Sequence, residues 1–131
     1  MERRTSLVKG IGVDIVKVER IADILNRRGK LFLKKLFTEA EISHCPAQSE
    51  ATYFATLFAA KESILKAFGI GWEGIKATDI EIRQAKLGAP LAKLTGELAK
   101  LAKSTAVGHV LISLSYDSEY AIAVSVLVGE E

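Results

Sequence analysis

Phe54 to Gly69 reads as a helix with its charges in the wrong place. Phe54, Leu57, Phe58, Ile64, Leu65 and Phe68 recur at helical spacing and make one apolar stripe. Lys61 projects from the middle of that stripe, Glu62 from its edge, and Lys66 lies one turn beyond Glu62. The opposite side holds Ala55, Ala59, Ala60 and Ala67, small enough for another element to lie against it. A helix covered on most sides holds two lysines and a glutamate only if each has a partner. That partner is a metal, an anionic ligand or other side chains; the plain alternative is an exposed Glu62–Lys66 pair at i, i+4.

The rest of the chain offers one more acid in an unexpected place. Gly10–Val16 alternates as a strand, with Ile11, Val13 and Ile15 on one face and Gly12, Asp14 and Val16 on the other. Aspartate is disfavoured inside a strand, so its carboxylate needs compensation, unless it only caps the next helix. That helix runs over about Val18–Arg28 and stops at Gly29. Its outer side carries Lys17, Arg20, Arg27 and Arg28, which form either a solvated face or a dock for an acidic partner.

A short helix is predicted over Lys30–Phe37, and Thr38 with Glu41 has the form of a capping box for another. Ser49 stands where the long helix would be capped, and Gly69 and Gly71 where it ends. Thr78–Arg83 and Leu91–Leu94 read as short strands around the turn Leu87-Gly88-Ala89-Pro90. Thr95 begins a helix through Ser104, and Val110–Tyr116 with Tyr120–Val128 form a hairpin. With 131 residues, 49% of them hydrophobic and no linker or repeat, the chain is expected to be one α+β domain over 1–131.

Net charge of +2 is too mild to point to nucleic acid, and no apolar run is long enough to cross a membrane. The single Cys45 excludes an internal disulfide framework, and Met1–Lys9 lacks a signal peptide's apolar core, so a cytoplasmic location is expected. Adjacent His44 and Cys45 diverge on a helix and make a poor zinc pair. Two carboxylates, Asp14 and Glu62, with two lysines, Lys61 and Lys66, are equipment for handling phosphate around a hard cation such as Mg2+. Walker and dinucleotide-binding glycine loops are absent.

Several blocks resemble holo-acyl-carrier-protein synthases, in that family's order. They are Gly10-Ile11-Gly12-Val13-Asp14-Ile15-Val16 with Glu19-Arg20-Ile21, then Phe37-Thr38-Glu39-Ala40-Glu41, then Phe58-Ala59-Ala60-Lys61-Glu62-Ser63 with Lys66, Gly69 and Gly71. Gly88-Ala89-Pro90 follows, and Ser113-Leu114-Ser115-Tyr116-Asp117 through Tyr120-Ala121 completes the set. The resemblance implies a 4′-phosphopantetheinyl transferase fold, an antiparallel sheet of about five strands packed on a long central helix and shorter helices. It implies transfer of phosphopantetheine from coenzyme A to a serine of an acyl carrier protein, with release of adenosine 3′,5′-bisphosphate, in support of fatty acid biosynthesis. Under it Asp14 and Glu62 hold Mg2+, and Glu62 and Lys66 are catalytic. Coenzyme A is expected to contact Lys61, Lys66, Gly69, Gly88, Pro90, Ser113 and Tyr116. Arg20, Arg27 and Arg28 dock the carrier protein, and the assembly is a homotrimer. The family's usual histidine is here Tyr116, and its usual arginine before Phe54 is here Tyr53; both remove positive charge. The alternative is a non-catalytic oligomer that binds coenzyme A or a nucleotide.

Overall fold

The computed structural model describes residues 7–84 and 87–130. Most of the N-terminal segment read for a leader, residues 1–6, lies outside them. Strand β1 (Val8–Lys17) leads directly into α1 (Val18–Arg28), and α2 (Lys30–Leu36) follows after Gly29. Short α3 (Glu39–Ser43) precedes the 19-residue α4 (Glu50–Phe68). A 3-10 turn at Ala77–Asp79 opens β2 (Ile80–Arg83), which pairs with β3 (Leu91–Leu94). Helix α5 (Gly96–Ser104), β4 (Val107–Tyr116) and β5 (Tyr120–Gly129) complete the chain. The five expected strands are all present. They divide into a three-stranded antiparallel sheet of order β1-β5-β4 and the separate β2-β3 hairpin.

Helix α4 lies across the three-stranded sheet, and two glycines set how close it comes. A Cβ on Gly12 would stand 2.0 Å from the Ser63 carbonyl oxygen and 2.6 Å from the Ala67 nitrogen. One on Gly10 would stand 2.0 Å from the Ala67 carbonyl oxygen. Backbone therefore packs on backbone, and only glycine fits. The helix's alanine side is sealed as the sequence suggests, with Ala55, Ala59 and Ala60 fully buried. Ser63 and Ser125 meet through their hydroxyls at 2.6 Å, a further buried tie between α4 and β5.

The two faces of β1 are used in opposite ways. The Gly12, Asp14 and Val16 face turns to α4, while Ile11, Val13 and Ile15 point outward and are more than half exposed, at 69%, 51% and 59%. With Leu111 and Ile122 they give the outer sheet surface an apolar character that a monomer would rarely display.

Caps follow the sequence only in part. Thr38 and Glu41 form the full capping box. Ser49 and Thr95 occupy the N-cap positions of α4 and α5, but neither side chain makes the capping hydrogen bond. Ser49 takes a left-handed conformation, φ 66°, and Thr95 turns to the Asp79 carbonyl.

Candidate functional site

Asp14 arrives on the buried side of β1, two residues beyond Gly12, where α4 is closest. Its Oδ1 accepts from Lys66 Nζ at 3.0 Å. Its Oδ2 is buried and has no hydrogen-bond partner. An orphaned carboxylate oxygen in a folded domain is uncommon and costly, and here it faces no donor of the protein's own.

Glu62 sits one helical turn before Lys66, on the same edge of α4. The i, i+4 pair open to these two does not form, because Lys66 has turned to Asp14. Glu62 instead accepts from the Trp72 indole at Oε2, 3.0 Å away. Each acid thus has one oxygen held by a donor and another left for something else. Among the described residues there is no cluster of three or more His, Cys, Asp or Glu side chains. Two carboxylates with open oxygens fit a hard ion that draws the rest of its shell from water and substrate phosphate, as Mg2+ does, and fit zinc poorly.

Lys61 is elsewhere, which corrects its expected contact with coenzyme A. Its ammonium is wholly buried and donates to Glu41 Oε1 at 2.7 Å, the Leu36 carbonyl at 2.7 Å and the Ala77 carbonyl at 3.0 Å. An ammonium has three N–H groups, and all three are used, so none remains for a ligand. Burial pushes this lysine below its ordinary range, against the opposing pull of Glu41. Glu41 in turn accepts the Thr38 and Ile82 backbone amides. The pair locks α2, α3, β2 and the 3-10 turn onto α4.

Of the other expected contact residues, Pro90, Ser113 and Tyr116 come together. With Ser49, Thr52 and Thr56 they line a cavity of about 560 Å³ beside the first half of α4. Among the described residues, no Lys, Arg or His lines it. Tyr53 also borders it, but its hydroxyl is spent on the Glu41 carbonyl, and burial lifts the phenol to about 12. Gly88 stands in the turn before Pro90 with φ 96°, so any side chain there would be strained. Gly69 ends α4 in the left-handed conformation, φ 75°, and is part of a different surface from the cavity. Arg20, Arg27 and Arg28 are exposed on α1, Arg28 with its guanidinium 5.2 Å from the Phe32 ring.

Two participants were not visible to sequence reasoning. As a local cap Glu41 needs one oxygen, and the sequence names no partner for the second, which accepts the Ile82 amide. Trp72, in the glycine-rich stretch after α4, carried no signal except being the chain's one tryptophan.

Residues 10–125 match the 4′-phosphopantetheinyl transferase superfamily. A holo-[acyl-carrier-protein] synthase of Halothermothrix orenii is 38% identical over 127 residues, 95% of this chain and 99% of the relative. An acyl carrier protein synthase of Plasmodium yoelii with ADP bound superposes with a TM-score of 0.85 at 33% identity, over 95% of this chain and 97% of that one. A Helicobacter pylori holo-[acyl-carrier-protein] synthase in complex with coenzyme A does so at 0.78 and 30%, over 89% and 98%. With a family match over residues 10–125 and similarity to such synthases over nearly its whole length, the chain belongs to the 4′-phosphopantetheinyl transferase superfamily.

Proposed function

We propose that this chain moves 4′-phosphopantetheine from coenzyme A to a serine hydroxyl of an acyl carrier protein, with Mg2+, and releases adenosine 3′,5′-bisphosphate. The observation that carries the reading is the partnerless buried Oδ2 of Asp14, on the same crossing as Lys66 and Glu62. Asp14 and Glu62 would hold the cation. Bound there, Mg2+ supplies positive charge to the diphosphate of coenzyme A.

The serine oxygen attacks the phosphorus next to pantetheine, and the bond from that phosphorus to the bridging oxygen breaks. Glu62 takes the serine proton, directly or through a water beside its carboxylate. Lys66, 58% exposed, holds Asp14 in place and presents its ammonium toward the phosphates, where negative charge grows on the departing oxygen. The cavity at Pro90, Ser113 and Tyr116 suits the uncharged part of the nucleotide end, and the coenzyme A complex of the H. pylori relative supports that ligand class. Exposed Arg20, Arg27 and Arg28 suit an acidic carrier protein.

The apolar outer face of the sheet, with Ile11, Val13, Ile15 and Leu111 exposed, supports a homotrimer that buries it. Equilibrium sedimentation checks this; a monomer at micromolar concentration would refute it. A role in fatty acid biosynthesis and a cytoplasmic location follow from the proposed substrates. The absence of Lys, Arg and His from the cavity's described lining, with Tyr116 where the resembling family has histidine, favours one other reading, a binder without turnover. Mass spectrometry of an apo carrier protein after incubation with this protein, coenzyme A and Mg2+ separates the two. Transfer gives the phosphopantetheine mass gain, lost with a chelator; a mere binder gives no gain.

A further inference from the structure

We infer that Trp72 is a positioning residue for the transfer: its indole N–H, 3.0 Å from Glu62 Oε2, fixes one carboxylate oxygen and so sets the direction in which Oε1 is presented to the cation site. The inference rests on the proposed transferase reading and extends it to a residue outside the matched motifs.

The choice of donor is the first argument. Lys66 lies at i+4 from Glu62 and would be the ordinary partner, but it is taken by Asp14. Asp14 already shares its charge with Lys66, and a second lysine on Glu62 would have left neither acid with an unshared charge for a cation. An indole donates one hydrogen bond and carries no charge, so it orients the carboxylate and leaves its negative charge intact.

The loop is the second argument. Gly69 closes α4, where the amides of Gly69 and Ile70 return to the carbonyls of Lys66 and Leu65. At its far end the Ala77 carbonyl is held by Lys61. Gly74, with φ 76°, and the Ile75 amide on the Trp72 carbonyl shape the turn between. The loop is thus anchored at both ends without the indole. Trp72 is only half-buried, so its N–H could have been left to water. It is turned instead onto one of the two acids.

Because Trp72 is the only tryptophan, emission excited beyond the tyrosine band reports on this side chain's surroundings. Trp72→Phe keeps the ring and removes the donor. The expected result is a kcat lower by about tenfold, the worth of one such hydrogen bond, with KM for coenzyme A unchanged and half-saturation at higher Mg2+. Trp72→His, which restores an N–H, should recover part of the rate, and neither variant should lose thermal stability in proportion. In the wild-type protein with coenzyme A bound, adding Mg2+ should change tryptophan emission, and Glu62→Gln should abolish that change. A Trp72→Phe enzyme with unaltered kcat and Mg2+ dependence overturns the inference while leaving the transferase reading intact. So does a rate loss that follows thermal stability and is not recovered by Trp72→His, or emission indifferent to Mg2+. A wild-type protein with no transfer activity takes down both.

Discussion

Lys61 and Lys66 share a helix, and each pairs with one carboxylate, but the two pairs are built to opposite specifications. In Lys61–Glu41 both side chains are 0% exposed, and every donor and both acid oxygens are occupied. In Lys66–Asp14 the lysine is 58% exposed and the aspartate 10%, and one acid oxygen has nothing. A polar cluster with all its valences met is a joint between elements. One left short, at the rim, still has an acceptor to offer a ligand. The same residue types five positions apart therefore do different work, and the difference lies in satisfaction, not in composition.

The sealed pair should show the largest effect on stability. Glu41→Gln leaves the Lys61 ammonium buried without its counter-charge, and a broken buried pair costs about 3–5 kcal/mol. Urea unfolding should report that loss with little change in slope. Replacing both partners with apolar residues should cost less than the single change. A Glu41→Gln protein as stable as wild type would mean that the pair does not hold the four elements together.

The open pair should behave the other way round. Asp14→Asn removes one charge from a partly solvated contact, so stability should move by less than about 1 kcal/mol. Turnover should fall on the order of 10²–10³-fold, as when one preorganised charge is lost from a transferring phosphoryl group. Excess Mg2+ should recover little of it. Carrier-protein mass gain against unfolding free energy is the decisive pair of measurements. A variant that lost stability instead of activity would place Asp14 with the joints.

How much of this was readable beforehand follows the same division. Periodicity located α4, α1 and all three long strands, because apolar spacing is set by burial of one face. The proposed site also stands out in sequence, since Asp14 and Glu62 are conspicuous as acids on regular elements. The sealed joint does not, since Lys61 and Glu41 are 20 residues apart and their meeting depends on how α3 folds back over α4. Placing Lys61 beside the phosphates was the natural error: sequence shows that a buried lysine needs a partner and not which one. Ser49 and Thr95 likewise occupy cap positions without making cap bonds, because position is local and side-chain direction is decided by what packs nearby.

Gly12 tests what joins the two regions. Alanine there would force α4 away from β1, since the new carbon would stand 2.0 Å from backbone that cannot turn aside. Overpacking of this kind costs about 1–3 kcal/mol. That is less than the loss from opening the sealed pair, but it falls between Asp14 and Lys66. Gly12→Ala should therefore lose activity beyond what its folded fraction explains. Activity in proportion to folded protein would show that the strand–helix distance does not set the site.

The smallest expected effect lies at the edge of the sealed region and appears only in alkali. The Tyr53 hydroxyl donates to the Glu41 carbonyl, and burial, more than the nearby Cys45 and Glu41, lifts the phenol from its usual value near 10 to about 12. In the unfolded chain the proton leaves near pH 10; in the folded chain it stays. Between about pH 10 and 12 the folded state therefore binds more protons, and stability falls as pH rises through that window. Below it the contribution is complete. Tyr53→Phe should remove that slope, while costing about 1 kcal/mol at neutral pH for the lost hydrogen bond. Phenolate absorbance should show a late-titrating component in the wild-type protein that Tyr53→Phe removes. A Tyr53 that ionised near 10 in the folded protein would mean that its hydroxyl is open to water, and that the sealed region ends at Glu41.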